Sequence, residues 1–291
     1  MIPEIPIAAI TDEFSEDIET ALDAMTGLGI IGVELRVISG KNIIDLSDHE
    51  IDHVMSAIRA RGMEVVSIAS PLLKCTLPGG PALDPRFEQD VFSSWHTFGD
   101  QPHLAQRAFE IAERTGAPII RVFSYWRTVE PASCFGRVVA ALRNLADEAL
   151  ERDLIIGLEN EHACNVATGA EAARVLAALD HPALKVIWDP ANALVAGELP
   201  YPGGYDHLPP GRVAHIHAKD GRVKDYVITW GPLGEMDVDW EGQLNALVRD
   251  HYDGWISLET HWRGANGNKL EASRRCSNAL RTLLAEACRP D

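Results

Sequence analysis

At 291 residues the chain has room for one (β/α)8 barrel, which takes about 250 residues, or for two small domains. It carries 26 Lys+Arg against 43 Asp+Glu, a formal net charge of −17, and a field of that sign repels phosphate backbones and anionic lipid heads, so neither nucleic acid nor a membrane is an expected partner. Hydrophobic residues make up 46%, enough for a large core, yet no apolar run approaches the roughly 20 residues of a membrane span.

Short apolar runs alternate with helical patterns from end to end. The first predicted strand is 5–11, followed by a stripe of Ile18, Ala21, Leu22 and Met25 at helical spacing. A strand at 31–36 precedes the stripe Ile51, Val54, Met55 and Ile58. The strand at 64–70 is followed by a long connection, 71–100, and then by Ala105, Ala108, Phe109 and Ala112. Strand 119–124 leads to Val138, Ala141, Leu142 and Leu145, and strand 155–159 to Ala172, Val175, Leu176 and Leu179. After strand 185–189 the chain is rich in Pro and Gly (199–210, LPYPGGYDHLPP), and 190–212 is expected to be mostly loop. Strand 213–217 is followed by the long connection 221–240. Strand 255–260 leads to a last helix with Cys276, Leu280, Leu283 and Ala287.

Several of these strands are rich in Val and Ile with little polar interruption, as in parallel strands buried on both faces. No G-x-G-x-x-G follows the first strand, which removes the main signal for a dinucleotide fold. Eight βα units therefore predict a single-domain (β/α)8 barrel over 1–291. The three long connections all follow strands, at the end of the barrel where sites are built. The five cysteines (Cys75, Cys134, Cys164, Cys276, Cys288) are odd in number and lack C-x-x-C spacing, which argues against a disulfide framework and suits a reducing compartment. No Lys or Arg precedes Arg36, so no secretory signal is expected and the location is expected to be cytoplasmic.

The sharpest signal is positional. Predicted strands 5 to 8 each end in a metal-competent side chain: Glu159 in IIGLEN, Asp189 in KVIWDP, His217 in VAHIHAKD and Glu259 in WISLETH. The first two gaps match one βα unit of about 31 residues, and the third carries the 221–240 insertion. A lone acid at a strand end is usually a cap, and a lone histidine usually a packing residue. Four on consecutive strands point to one divalent ion, because buried carboxylates side by side repel unless a cation or protons intervene. Three carboxylates and an imidazole suit Mn²⁺ or Mg²⁺ first, with Co²⁺ or Zn²⁺ as alternatives. His215 shares a face with His217 one layer deeper, which suits a packed core histidine. His162, His207 and His261 fall in loops, solvated or facing a substrate.

The segments TDEFSEDIETAL…LGIIGVELR, GLEN, WDPAN, HIHAKD, LGEMDVDW and SLETHWR resemble the sugar phosphate isomerase/epimerase family of xylose isomerase-like barrels, over residues 7 to 284. The resemblance implies that Glu159, Asp189, His217 and Glu259 bind the metal and that Glu159 and Glu259 also form the acid/base pair. The metal would stabilise an enediolate after the proton beside a carbonyl is removed. This chain departs from the family's ketose epimerases at two positions: Asn192 replaces a histidine three residues after the metal Asp, and Asn165 replaces a glutamate six residues after the first metal Glu.

The expected activity is isomerisation or epimerisation of a small sugar, ketose or polyol. Dehydration of a keto-inositol or related hydroxy-keto compound is the alternative within the family, and a non-catalytic sugar-binding barrel the alternative outside it. An endonuclease of the same fold is the nearest rival, and the absence of histidines at the ends of strands 3 and 4, Asn192 in place of a further one, and the acidic charge all oppose it. Expected substrate contacts are Asn192, Lys219, Arg263, Trp126 and Trp262, each with a structural alternative: Lys219 pairing with Glu34, Arg263 lying on the surface, and the tryptophans packing in loops. Trp95 and Trp230 fall in similar loops. A homo-oligomer stays open, because long loops serve equally as lids or interfaces.

Overall fold

The computed structural model describes residues 5–89 and 95–289, so 90–94 of the first long connection and both chain ends lie outside it. Eight parallel strands close into a barrel: β1 (Ile7–Ile10), β2 (Gly32–Leu35), β3 (Glu64–Leu72), β4 (Ile119–Val122), β5 (Ile155–Glu159), β6 (Leu184–Trp188), β7 (Val213–Ala218) and β8 (Trp255–Leu258). Each pairs with its sequence neighbours, and β1 closes the ring by pairing with both β2 and β8. The unbroken apolar runs are explained by their setting, since one face of each strand fills the barrel and the other lies under a helix. No helix of the described residues is long and apolar enough to cross a membrane.

The helices are α1 (Ile18–Gly27), α2 (Asp48–Ala60), α3 (Gln101–Thr115), α4 (Pro131–Glu151), α5 (Gly169–Leu179), α6 (Pro190–Val195), α7 (Trp240–Arg249) and α8 (Lys269–Ala287). Local sequence sets their ends. Ser47 and Glu50 form a reciprocal capping box at the start of α2. Asp17, Thr168, Asp239 and Asn268 each accept a backbone N–H in the first turn of their helix. The stripe of Ile51, Val54, Met55 and Ile58 is buried against the barrel, each side chain contributing roughly 1.5–3 kcal/mol of transfer free energy.

Several predicted strands run past their ladders at the C-terminal end. Thr11, Phe123, Ser124, Glu259 and Thr260 lie just past the assigned strand ends, and Phe123 and Glu259 still donate their N–H groups to the neighbouring strand. The largest difference is the connection 221–240, where Gly221–Lys224 and Val227–Trp230 form an antiparallel hairpin. Its two turn residues, Asp225 and Tyr226, both have positive φ (52° and 65°). Turns of that kind usually announce themselves with Asn-Gly or Asp-Gly, so Asp-Tyr hid the hairpin. A second small hairpin, Val37–Ile38 with Lys41–Asn42, turns on Ser39–Gly40, also at positive φ. As expected, little helix follows β6.

The loop after β6 packs directly on the start of α5. A Cβ placed on Gly169 would lie 2.1 Å from the carbonyl oxygen of Gly204. Because that neighbour is backbone, Gly169→Ala must displace the 200–207 segment, and we expect a loss of about 3 kcal/mol in urea unfolding. A loss below about 1 kcal/mol would show that this approach is adjustable.

Candidate metal centre

Side-chain parity brings four strands to one centre. The ladders pair Glu159 with Ile187, Ile187 with His215, and His217 with Ser257. Partners in a ladder face the same way and side chains alternate along a strand, so Glu159, Asp189, His217 and Glu259 all point inward. One ligand atom from each lies within 4.8 Å of the others, close to twice a metal–oxygen bond of about 2.1 Å. All four are buried.

Local contacts aim each group. Asp189 caps α6 with Oδ1, accepting from Asn192 N at 2.9 Å, while Pro190 takes the first helical position, where its missing N–H costs nothing. This leaves Oδ2 for the centre. Asn160 clasps the ends of β5 and β6, donating to the Asp189 carbonyl and accepting from the Asp189 N–H, both at 2.8 Å. Asn192 Nδ2 donates to Glu159 Oε1 at 3.2 Å.

His217 Nδ1 faces the carboxylates, 3.4 Å from Glu159 and 3.5 Å from Glu259. Its Nε2 points across the barrel to Glu34, 3.2 Å from both oxygens, and His215 Nε2 lies 3.1 Å from the same carboxylate. Glu34 therefore sets the ring orientation of the ligand histidine, the usual outer partner of a metal-bound imidazole. Burial alone would raise the Glu34 carboxyl, but His217 and His215 hold it well below the usual range. Glu34, His215 and His217 could themselves hold an ion by spacing; both imidazoles spending Nε2 on Glu34 makes them a support layer instead. Glu34→Gln is expected to weaken metal affinity by about 10- to 100-fold, measured by chelator competition. Affinity within twofold of wild type would remove Glu34 from this role.

Protein cations surround the carboxylates, which the sequence reading did not anticipate. Lys219 Nζ lies 2.7 Å from Asp189 Oδ2 and 2.6 Å from Glu259 Oε2, so it does not pair with Glu34. The reason is register: Lys219 is two residues beyond His217 on the same inward face, at the height of the strand ends. Arg36 Nη1 donates to Glu259 Oε1 at 2.6 Å, and Arg121 Nη1 stands 3.3 Å from Glu159 Oε2. Repulsion among three acids is thus partly answered without any ion. Two atoms still lack hydrogen bonds, Glu159 Oε2 and Asp189 Oδ2; the Lys219 ammonium is near Asp189 Oδ2 but outside hydrogen-bond geometry. Two unsatisfied carboxylate oxygens beside an oriented imidazole nitrogen fit a hard divalent cation.

A cavity of about 470 Å³ opens above this centre, reached by Glu259, Lys219, Asn192 and Arg121 from the floor. His162 and His261 line it too, as does Trp230 of the hairpin, which stacks on His261 at 4.8 Å. His162 Nδ1 lies 2.9 Å from Glu161 and 3.0 Å from Asn192. Lys74 approaches Glu161 at 3.7 Å. Of the expected substrate contacts, Asn192 and Lys219 reach the cavity. Trp126 is buried in a small apolar cluster beside it. Trp262 packs against the barrel core under Arg275, and Arg263 is exposed; neither lines the cavity. Trp95 and His207 are exposed.

Asp220 and Asn160 were missed, although both stand in the quoted motifs. Asp220 accepts the backbone N–H groups of Gly221, Gly234, Met236 and Val238, tying the hairpin and the LGEMDV segment to the end of β7. Asn165 serves the scaffold, donating to the carbonyls of Ser124 and Trp126.

A family description, xylose isomerase-like TIM barrel, matches residues 22–282. An inosose dehydratase of Lacticaseibacillus casei is 25% identical over 161 residues, 50% of this chain and 53% of that protein; the chain spans about half the length of the curated relatives it matches. Among solved structures, the IOLI protein with a bound zinc atom superposes with a TM-score of 0.75 at 13% identity, covering 98% of this chain and 100% of that one. A 3-keto-D-glucoside 4-epimerase from E. coli superposes at 0.69 with 20% identity, covering 96% and 99%. The closed barrel, the convergent strand ends and the match over most of the length lead to one conclusion: the chain belongs to the xylose isomerase-like TIM barrel family.

Proposed function

We propose that the protein is a divalent-metal-dependent isomerase or epimerase of a small sugar, ketose or polyol, with Glu159, Asp189, His217 and Glu259 as ligands. The observation that carries this reading is the convergence of these four buried side chains at one end of the barrel, where Glu259 opens onto a cavity. A bound ion would supply Lewis acidity to a substrate carbonyl and so make the hydrogen on the neighbouring carbon acidic. Mn²⁺ or Mg²⁺ suits the oxygen-rich donor set best.

The rest falls to the chain. Glu159 and Glu259 come from strands β5 and β8, and we assign them the proton-transferring pair. Asn192 orients Glu159, and Arg36 and Lys219 orient Glu259. Lys219, Asn192, His162 and His261 offer hydrogen bonds to substrate hydroxyls, and Trp230 offers an apolar face to the carbon skeleton.

A dehydratase is the second reading. Lys219 Nζ and the His261 ring both adjoin Glu259 at the cavity wall, and we assign them hydrogen bonds to a departing hydroxyl. The part-length likeness to an inosose dehydratase favours the same chemistry.

The test is elemental analysis followed by deuterium exchange into a panel of ketoses and keto-inositols by Mn²⁺-loaded protein. One ion per chain, with exchange reduced more than about 100-fold in Glu159→Gln and Glu259→Gln, is expected. A protein that takes up no ion, or that loads an ion and exchanges no proton on the panel, overturns the proposal.

A further inference from the structure

We infer that the substrate is a two-part molecule, a hydroxylated keto ring bound on the cavity floor and joined to a flat apolar group that lies on the cavity rim. The inference rests on the proposed function for the floor and adds the second part.

Size is the first argument. A six-carbon sugar displaces about six waters, roughly 180 Å³ at ~30 Å³ per water. The cavity measures about 470 Å³, so more than half of it stays empty around a single ring.

The lining is the second. Polar groups share the cavity with an apolar set, Phe87, Val195, Tyr226, Val227 and Ile228, of which Phe87 and Val195 are buried and Tyr226 and Val227 are exposed. Phe87, Val195 and Ile228 belong to an apolar cluster separate from the barrel core. Tyr226 and Val227, at the tip of the hairpin, remain 41% and 67% exposed. Apolar side chains left bare beside a polar site mark a surface that a ligand covers.

The rim is also built to hold its shape. Tyr226 meets Phe87 edge to face at 5.9 Å, and Phe87 meets His162 at 5.9 Å, so three rings run from rim to floor as one wall. The Arg86 guanidinium lies 4.8 Å from the Tyr226 ring centre and 5.2 Å from that of Phe87. Asp84 holds Arg86 through side-chain hydrogen bonds of 2.9, 3.1 and 2.6 Å, and the hairpin is anchored at its base by Asp220. With Arg86 already neutralised by Asp84, and with Glu88 on the same rim, a phosphate or carboxylate finds poor company there. An aromatic or similarly flat apolar aglycone fits.

The experiment compares methyl and phenyl 3-keto-D-glucosides, both anomers, by calorimetry on the Mn²⁺-loaded protein. The phenyl compound of one anomer is expected to bind at least about tenfold tighter than its methyl counterpart. The exposed-site double variant Tyr226→Ser/Val227→Ser should reduce that preference below about threefold, with metal content and melting temperature unchanged. Equal affinities, a preference that survives the double variant, or no binding of either glucoside at millimolar concentration overturns the inference. So does a concentration-dependent dimer that the same variant abolishes, because a second copy then covers the rim. Failure to load metal speaks against the proposed function alone; the phenyl preference, measured on the metal-free protein, then decides this inference by itself.

Discussion

Arg36→Met is expected to destabilise the protein by about 3–5 kcal/mol at neutral pH, the cost of stranding buried charges by removing their partner. Arg36 is fully buried at the end of β2. Its Nη2 donates to Asp12 at 2.7 Å and to Glu13 at 2.5 Å, and its Nη1 to Glu259 at 2.6 Å. The pH dependence carries the sign. Burial would raise the Glu13 carboxyl, but the charge of Arg36, helped by His261 and Lys269, brings it down to about 2, from an ordinary value of 4.5. A depressed carboxyl contributes stability above its unfolded value that disappears as pH falls from about 4.5 toward 2. Without Arg36 the burial effect is opposed only by His261 and Lys269, so the Glu13 carboxyl rises and its ionised form contributes less to folding. The variant should therefore lose less, relative to wild type, at pH 4 than at pH 7. Urea unfolding at the two pH values decides it; a loss under about 1 kcal/mol at pH 7, or equal losses at both, would show that Arg36 is not the counterion of this cluster.

The barrel was legible because parallel strands buried on both faces leave continuous Val/Ile runs, and the helices between them carry plain apolar stripes. The four candidate ligands were legible for a related reason. Each closes such a run with a charged or imidazole group, at a spacing that repeats with the βα unit. Their supporting groups were not, because support in a barrel acts across it. Glu34 reaches His215 and His217 across 181 and 183 residues of sequence, and Arg36 reaches Glu259 over 223. Nothing in the local text around GVELR says which carboxylate it meets. Lys219 shows the same limit at shorter range: its inward face follows from alternation with His217, but its choice of Asp189 and Glu259 over Glu34 depends on the height of the strand ends. The tryptophans misled for a different reason. A loop position after a strand is shared by side chains that line the mouth, such as Trp230, and side chains that pack beneath it, such as Trp126.

These cross-barrel contacts give the centre a definite response to protons, and metal affinity is expected to fall steeply as pH drops below about 6. Burial pushes the Asp189 carboxyl up to about 6; Lys219 opposes this, and Glu259 and Glu159 add to it. His217 is lowered by burial but raised further by Glu34 and Glu159, and ends well above its ordinary value. An ion needs Asp189 ionised and His217 Nδ1 free, so loading expels protons, and affinity should drop about tenfold per pH unit for each proton expelled. Above about pH 6 only the imidazole contributes, and below it both groups do, so the slope should steepen there. Asp189→Asn removes the carboxyl and should lower affinity by more than about 100-fold, beyond the effect of losing an outer partner, while abolishing the steepening. Chelator-competition titrations across pH 5 to 8 measure both effects. An affinity that is flat across this range would mean that no proton shares the site with the ion, and Asp189 and His217 would then have to be replaced as ligands.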